Sequence, residues 1–211
     1  MHKTKSLIAL ALMAAAAAPI IAQMPTEAPG KPDPKRVTTG TYTTDPFHTL
    51  VGWRVNHLGF NDYFGQFGDV KGTLVLDPAA PAKAKLDVTI PIASLTTVNA
   101  KLTEHLSGPD FFDAAKFPEA KFVSTSVKAT GTKAVITGNL TIKGITKPIT
   151  LDARFVGAGK GFGPQGGPGK ETVGFHATGK VNRADYGMGF GLPMVPDPIQ
   201  LELTAAFEKQ N

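Results

Sequence analysis

Two histidines stand where a side chain could share a proton with a bound molecule. His105 has Glu104 at its side and Asp110 and Asp113 close after it, and His57 ends the stretch "TLVGWRVNH". Histidine titrates near neutral pH and pairs readily with a carboxylate, so His57 or His105 with Asp110 is the only candidate acid–base group. The arrangement is not that of a known catalytic or metal motif. The chain has no HExxH, no Gly-x-Ser-x-Gly and no histidines at metal-ligand spacing. Glu104 and His105 are neighbours on a predicted helix and point about 100° apart, so they form no dyad. The other histidines have plainer readings. His48, in "DPFHTL", suits turn capping, His176 has the parity of a wet strand face, and His2 belongs to the N-terminal leader.

The elements that must position these groups are mostly strands. In "KLDVTIPI", Leu86, Val88, Ile90 and Ile92 alternate with Lys85, Asp87, Thr89 and Pro91. The same period of two puts Ile149, Leu151, Ala153 and Phe155 on one face, and Ile199, Leu201, Leu203, Ala205 and Phe207 on another. Weaker versions at 49–57, 70–77, 121–128, 134–142 and 172–182 bring the expectation to about eight strands, each with one apolar and one wet face. Parallel strands, buried on both sides, would read as continuous apolar runs, so these are mostly antiparallel. From Leu95 to Leu106 the period changes. Apolar residues at 95, 98, 102 and 106 predict a helix, capped by Thr96 or Thr97 and stopped at Gly108-Pro109. One short helix cannot cover a flat sheet of that width, whereas closing the sheet on itself hides its apolar face and removes its edges. The expected fold is all-β with one short helix: an eight-stranded antiparallel β-barrel with the helix near one mouth.

The 211 residues suit one domain with appendages. Lys3 and Lys5 precede a run of uncharged apolar residues from Leu7 to Ala18, too short for a membrane span, and Ala22 offers a small residue for cleavage. Residues 1–22 therefore read as a signal peptide, which makes the product periplasmic or secreted. Losing the leader's two lysines takes the net charge from +5 to +3. Four prolines between Pro25 and Arg36 make residues 23–40 a flexible linker, and residues 41–208 the domain. With no cysteine anywhere, the domain must hold together by packing alone. The longest basic run is Lys35-Arg36, so a nucleic-acid footprint is not expected. The Gly-rich stretch 157–170 lacks a GK[ST] ending and reads as a long loop between strands, not a phosphate cradle.

An eight-stranded barrel is just wide enough to fill with side chains or to hold one small ligand. With a lining of Ile, Leu, Val and Ala plus the rings of "HLSGPDFFDAAKFPEAKF", any guest must be apolar. Five ordered stretches carry a more specific likeness: "YTTDPFHTLVGWRVNH", "FGQFGDVKGTLVLD", "HLSGPDFFDAAKFPEAKFVST", "GNLTIKGITKPITL" and "GFHATGKVNRADYGMGF". They resemble the YceI-like, or polyisoprenoid-binding, family. The resemblance implies a lipocalin-like barrel that takes up a long isoprenoid, quinone-like or fatty-acyl lipid, with no covalent cofactor, no metal and no catalysis. On that reading Trp53, Val55, Phe60, Phe64, Phe67, Ile90, Leu106, Phe111, Phe112 and Phe117 line the cavity. His57 and His105 contact the lipid's head group. Leu102-Thr103 stands where the family usually carries an Arg-Asp pair, so no contact is carried over to those positions. Two other uses stay open: an enzyme or redox accessory acting on a quinone-like lipid, and a surface module that engages a partner through the Gly-rich loop and linker. The barrel mouths and loops also leave room for a homodimer and for transient membrane contact.

Overall fold

The computed structural model describes residues 27–162 and 168–210, so the expected leader and its cleavage site lie outside the described residues. The strands are β1 (Gly40–Thr44), β2 (Leu50–His57), β3 (Asn61–Phe67), β4 (Lys71–Leu76), β5 (Lys85–Pro91), β6 (Leu95–Thr96), β7 (Glu119–Thr130), β8 (Lys133–Ile142), β9 (Ile145–Phe162), β10 (Pro168–Asn182) and β11 (Pro198–Lys209), of which β1, β3 and β6 lie outside the period-two segments. Among the described residues the single α-helix, α1, spans Ala100–Ser107. All ladders are antiparallel, in the order β1-β4-β5-β7-β8-β9-β10-β11, and β1 pairs again with β11 to close the ring. The eight staves of that ring are thus these eight strands. β2 and β3 prolong the bent staves of β1 and β4, and β6 prolongs β5.

Two of those bends explain the buried threonines. Where β1 gives way to β2, the chain leaves the ladder over residues 45–49, and unpaired backbone groups there need partners. The Thr44 hydroxyl donates to Val70 O at 2.8 Å and accepts from Gly72 N. The Thr49 hydroxyl does the same for Ala206 O and N, at 3.1 and 3.2 Å. Asp45 caps the bend through Phe47 N and His48 Nδ1, so His48 has the turn role its sequence position suggests.

The helix starts later than its apolar spacing suggests. Leu95 is in β6, Val98 is 96% exposed, and the N-cap is Asn99, whose side chain accepts from the backbone N–H groups of Lys101 and Leu102. The two apolar residues that extended the pattern therefore belong to a strand and a turn. The Gly-rich stretch is likewise mostly ladder, because β9 runs on to Phe162 and β10 resumes at Pro168.

The expected flexible linker is instead seated on the barrel over its described part. Lys31 and Ala158 exchange both backbone hydrogen bonds, at 3.0 and 2.9 Å. A β-carbon on Gly159 would come within 2.2 Å of Pro29 O, so glycine is what lets the segment lie so close. Asp33 caps a short 3₁₀ turn over Pro34–Arg36. Prolines exclude a helix here, but they do not prevent backbone pairing by the residues between them.

Candidate ligand cavity

Strand direction sorts the connections into two ends. The β2–β3 turn, residues 97–118 with α1, the β8–β9 turn and residues 183–197 lie at the helix end. The N-terminal segment, residues 77–84 and the β7–β8 turn lie at the far end. Between them the inward faces enclose a cavity of about 840 Å³, reaching from Pro34, Val37 and Pro81 to Asn99, His105 and Phe190. That volume falls in the upper part of the roughly 300–1,000 Å³ typical of ligand pockets. The inward residues read from strand parity form its middle, among them Leu86, Val88, Leu151, Ala153, Leu201 and Leu203. The charged lining residues sit at the ends: Lys85, Lys133 and Arg154 at the far end, Arg183 at the helix end.

The expected site residues divide in two. Trp53, Val55, His57, Phe67 and Ile90 reach the wall from strands, and His105, Leu106, Phe111 and Phe112 from α1 and the turn after it. The Trp53 indole lies flat over Gly65, where a β-carbon would come within 2.1 Å of the ring, and stacks on Tyr63 at 6.4 Å. Phe112 meets Phe67 edge-on at 5.3 Å. Phe60, Phe64 and Phe117 stand off the wall. Phe64 pairs across the ladder with Arg54, on the outer parity of β3, and is 61% exposed. Phe60 closes the β2–β3 turn, 85% exposed. Phe117 leans on Gly144, with the Lys116 ammonium 5.1 Å from its ring.

At the helix end His105 is the hub. Its Nε2 lies 3.2 Å from Asp110 Oδ2, and its ring meets Phe111 and Phe190 edge-on, each at 5.1 Å. The histidine and aspartate side chains are 43% and 53% exposed, so the pair sits at the mouth and not deep inside. His57 reaches the same mouth from the end of β2. His176 is on the outer face with Glu202, at 3.1 Å. Among the described residues, no group of three or more His, Asp or Glu could hold a metal ion.

Phe190 and Arg183 escaped the reading from sequence. The buried Arg183 guanidinium donates to four carbonyls, those of Met188, Phe190, Val195 and Pro196, at 2.6–3.0 Å. It ties the 184–197 loop into the shape that aims Phe190 at His105. Burial lowers its pKa, with Asp197 acting in the opposite sense. The signal lay in "VNRADYGMGF", an arginine followed by small residues and no nearby run of acids, but the contacts come from the loop's fold and not from spacing.

A closed antiparallel barrel with a long apolar cavity and charged groups confined to its ends has the form of a ligand-binding barrel. The YceI-like domain profile matches residues 42–207, and the chain belongs to that family. It is 41% identical to a UPF0312 protein of Photorhabdus laumondii subsp. laumondii over 161 residues, 76% of this chain and 80% of the relative. Among solved structures it is similar to BcnA of Burkholderia cenocepacia, with a TM-score of 0.68 and 25% identity over 77% of this chain and 98% of that one. A polyisoprenoid-binding domain from Saccharophagus degradans shares the fold, with a TM-score of 0.59 at 12% identity over 80% of this chain and 98% of that domain.

Proposed function

We propose that this protein binds one long apolar lipid, of polyisoprenoid, quinone-like or fatty-acyl type, along the barrel axis, and carries or sequesters it in the periplasm or outside the cell. The observation that carries this reading is the end-to-end apolar cavity. Each methylene moved from water into such a wall contributes about 0.8 kcal/mol, so a chain of several isoprene units binds tightly with few polar contacts. The name of the Saccharophagus domain, and membership of the YceI-like family, agree with this choice of guest. Location rests on the N-terminal leader read from the sequence. His57 and His105, where the cavity meets solvent, are the groups for a polar head. The half-exposed His105–Asp110 pair suits head-group contact better than proton transfer deep in the cavity.

Native mass spectrometry of the purified mature protein, followed by organic extraction, tests the proposal. A single stoichiometric lipid adduct is the expected result. A bare protein mass, with no uptake of an added isoprenoid, would overturn it. Replacing His57 with Phe separates the head-group role from the chain: loading of a polar-headed lipid drops, while loading of a plain hydrocarbon stays.

A further inference from the structure

The two mouths of the cavity differ in what surrounds them. At the helix end, large apolar side chains point into solvent from three separate turns: Phe60 at 85% exposure, Val98 at 96% and Met194 at 67%, with Leu58 and Leu192 beside them. Phe190 belongs both to this ring and to the cavity wall, so the ring is continuous with the cavity. Prolines and lysines frame the far end instead, and the large exposed apolar residues towards it, Val75, Val135, Val156 and Phe162, stand on strands and not on turn tips.

Nothing in the fold accounts for the tips at the helix end. They stand on short connections between elements and contribute to neither core cluster. The charge around them is mixed. Lys101, Lys116 and Lys143 are without a carboxylate partner among the described residues, Glu104, Asp113 and Asp185 are without a basic one, and Asp62 and Asp110 are already paired with Arg54 and His105. Free ammonium groups and free carboxylates at one end complement a zwitterionic headgroup layer, which likewise carries both phosphates and ammonium groups. Apolar tips that project singly around an opening fit a fluid surface they can enter, and long lysine stems keep their charges in the headgroup region.

We infer that the helix end docks on a phospholipid bilayer, with Phe60, Val98 and Met194 entering the headgroup–acyl boundary, so that the cavity opens directly onto the membrane from which a lipid is taken or to which it is returned. The inference rests on the lipid-binding reading above.

Flotation of the mature protein with phosphatidylcholine vesicles tests it, with lipid loading followed in parallel by native mass spectrometry. Wild-type protein is expected to float. Phe60→Ser combined with Met194→Ser should lower partitioning by about a hundredfold, since each ring or thioether kept from water contributes about a factor of ten or more. Phe47→Ser is the control. Phe47 is equally exposed, at 86%, but lies at the 45–49 bend away from the mouth, and its loss should change partitioning less than about twofold. Circular dichroism melts establish that all three proteins are folded. Failure of the wild type to float would overturn docking while leaving a loaded lipid untouched. An equal loss from Phe47→Ser would overturn it as well. Self-association that the double substitution abolishes, without flotation, would reassign the ring to a second copy of the chain.

Discussion

At the scale of single residues, the helix end owes its shape to a few buried polar groups. Tyr186 is 1% exposed, beside the arginine that ties down the 184–197 loop, and its hydroxyl has no hydrogen-bond partner among the described residues. Burial, with Asp185 adding to it, pushes its pKa up to about 12 from an ordinary 10.0. The folded protein therefore holds this proton where the unfolded chain releases it. The resulting stability is fully present below pH 10 and is lost as pH rises from there to about 12. Urea titrations across that range should show wild type losing stability more steeply than Tyr186→Phe, and the two should run parallel below pH 10. Parallel loss at alkaline pH would mean that the hydroxyl is not held neutral by the fold. Near neutrality the substitution should cost little, since it removes a polar group that has no partner.

At the scale of elements, the sequence was most legible where side chains alternate and least where backbone meets backbone. Leu86, Val88 and Ile90 announce their strand and its inner face because burial acts on every second residue. Phe64 misled because its aromatic character outweighed its parity: its neighbours Tyr63 and Gly65 hold the inner face. Leu95 and Val98 match helical spacing by chance and make the helix read as starting early, while the effective start signal is Asn99. The N-terminal segment was illegible for another reason. Its attachment runs through the backbone of Lys31 and Ala158 over glycines, which leaves no apolar period to read. Gly159→Val tests that attachment. Valine suits a strand, so the barrel should remain folded, but its side chain would collide with Pro29 O. Hydrogen exchange at Lys31 and Ala158 should speed up by at least about tenfold while the β8–β9 ladder stays protected. Unchanged exchange at both residues would show that the segment is not held there.

At the scale of the whole molecule, a closed ring fixes the width of the cavity, so its usable length is the quantity that substitutions can change. Ala153 and Ala177 face each other across the β9–β10 ladder on the cavity wall. Ala177→Phe would project a ring into the cavity, and it should shorten the longest isoprenoid retained by two or more units. Mass spectrometry of protein loaded from a mixture of chain lengths would show the shift directly. Retention of the same longest chain would mean that the guest does not run past this level.

The doubled pairing of β11 has one more consequence. It bonds to β1 over residues 207–209 and to β2 over residues 200–204, and between them Asp45 N and the Thr49 hydroxyl take up the backbone of Ala206, so the wall is closed on that side. A long guest cannot slip in sideways there and must thread in by one tip. An eight-strand interior is just wide enough for one small ligand, which favours a single extended chain along the axis. If entry is at the helix end, whichever tip goes in first comes out last, and the barrel keeps the polarity of its cargo from loading to release.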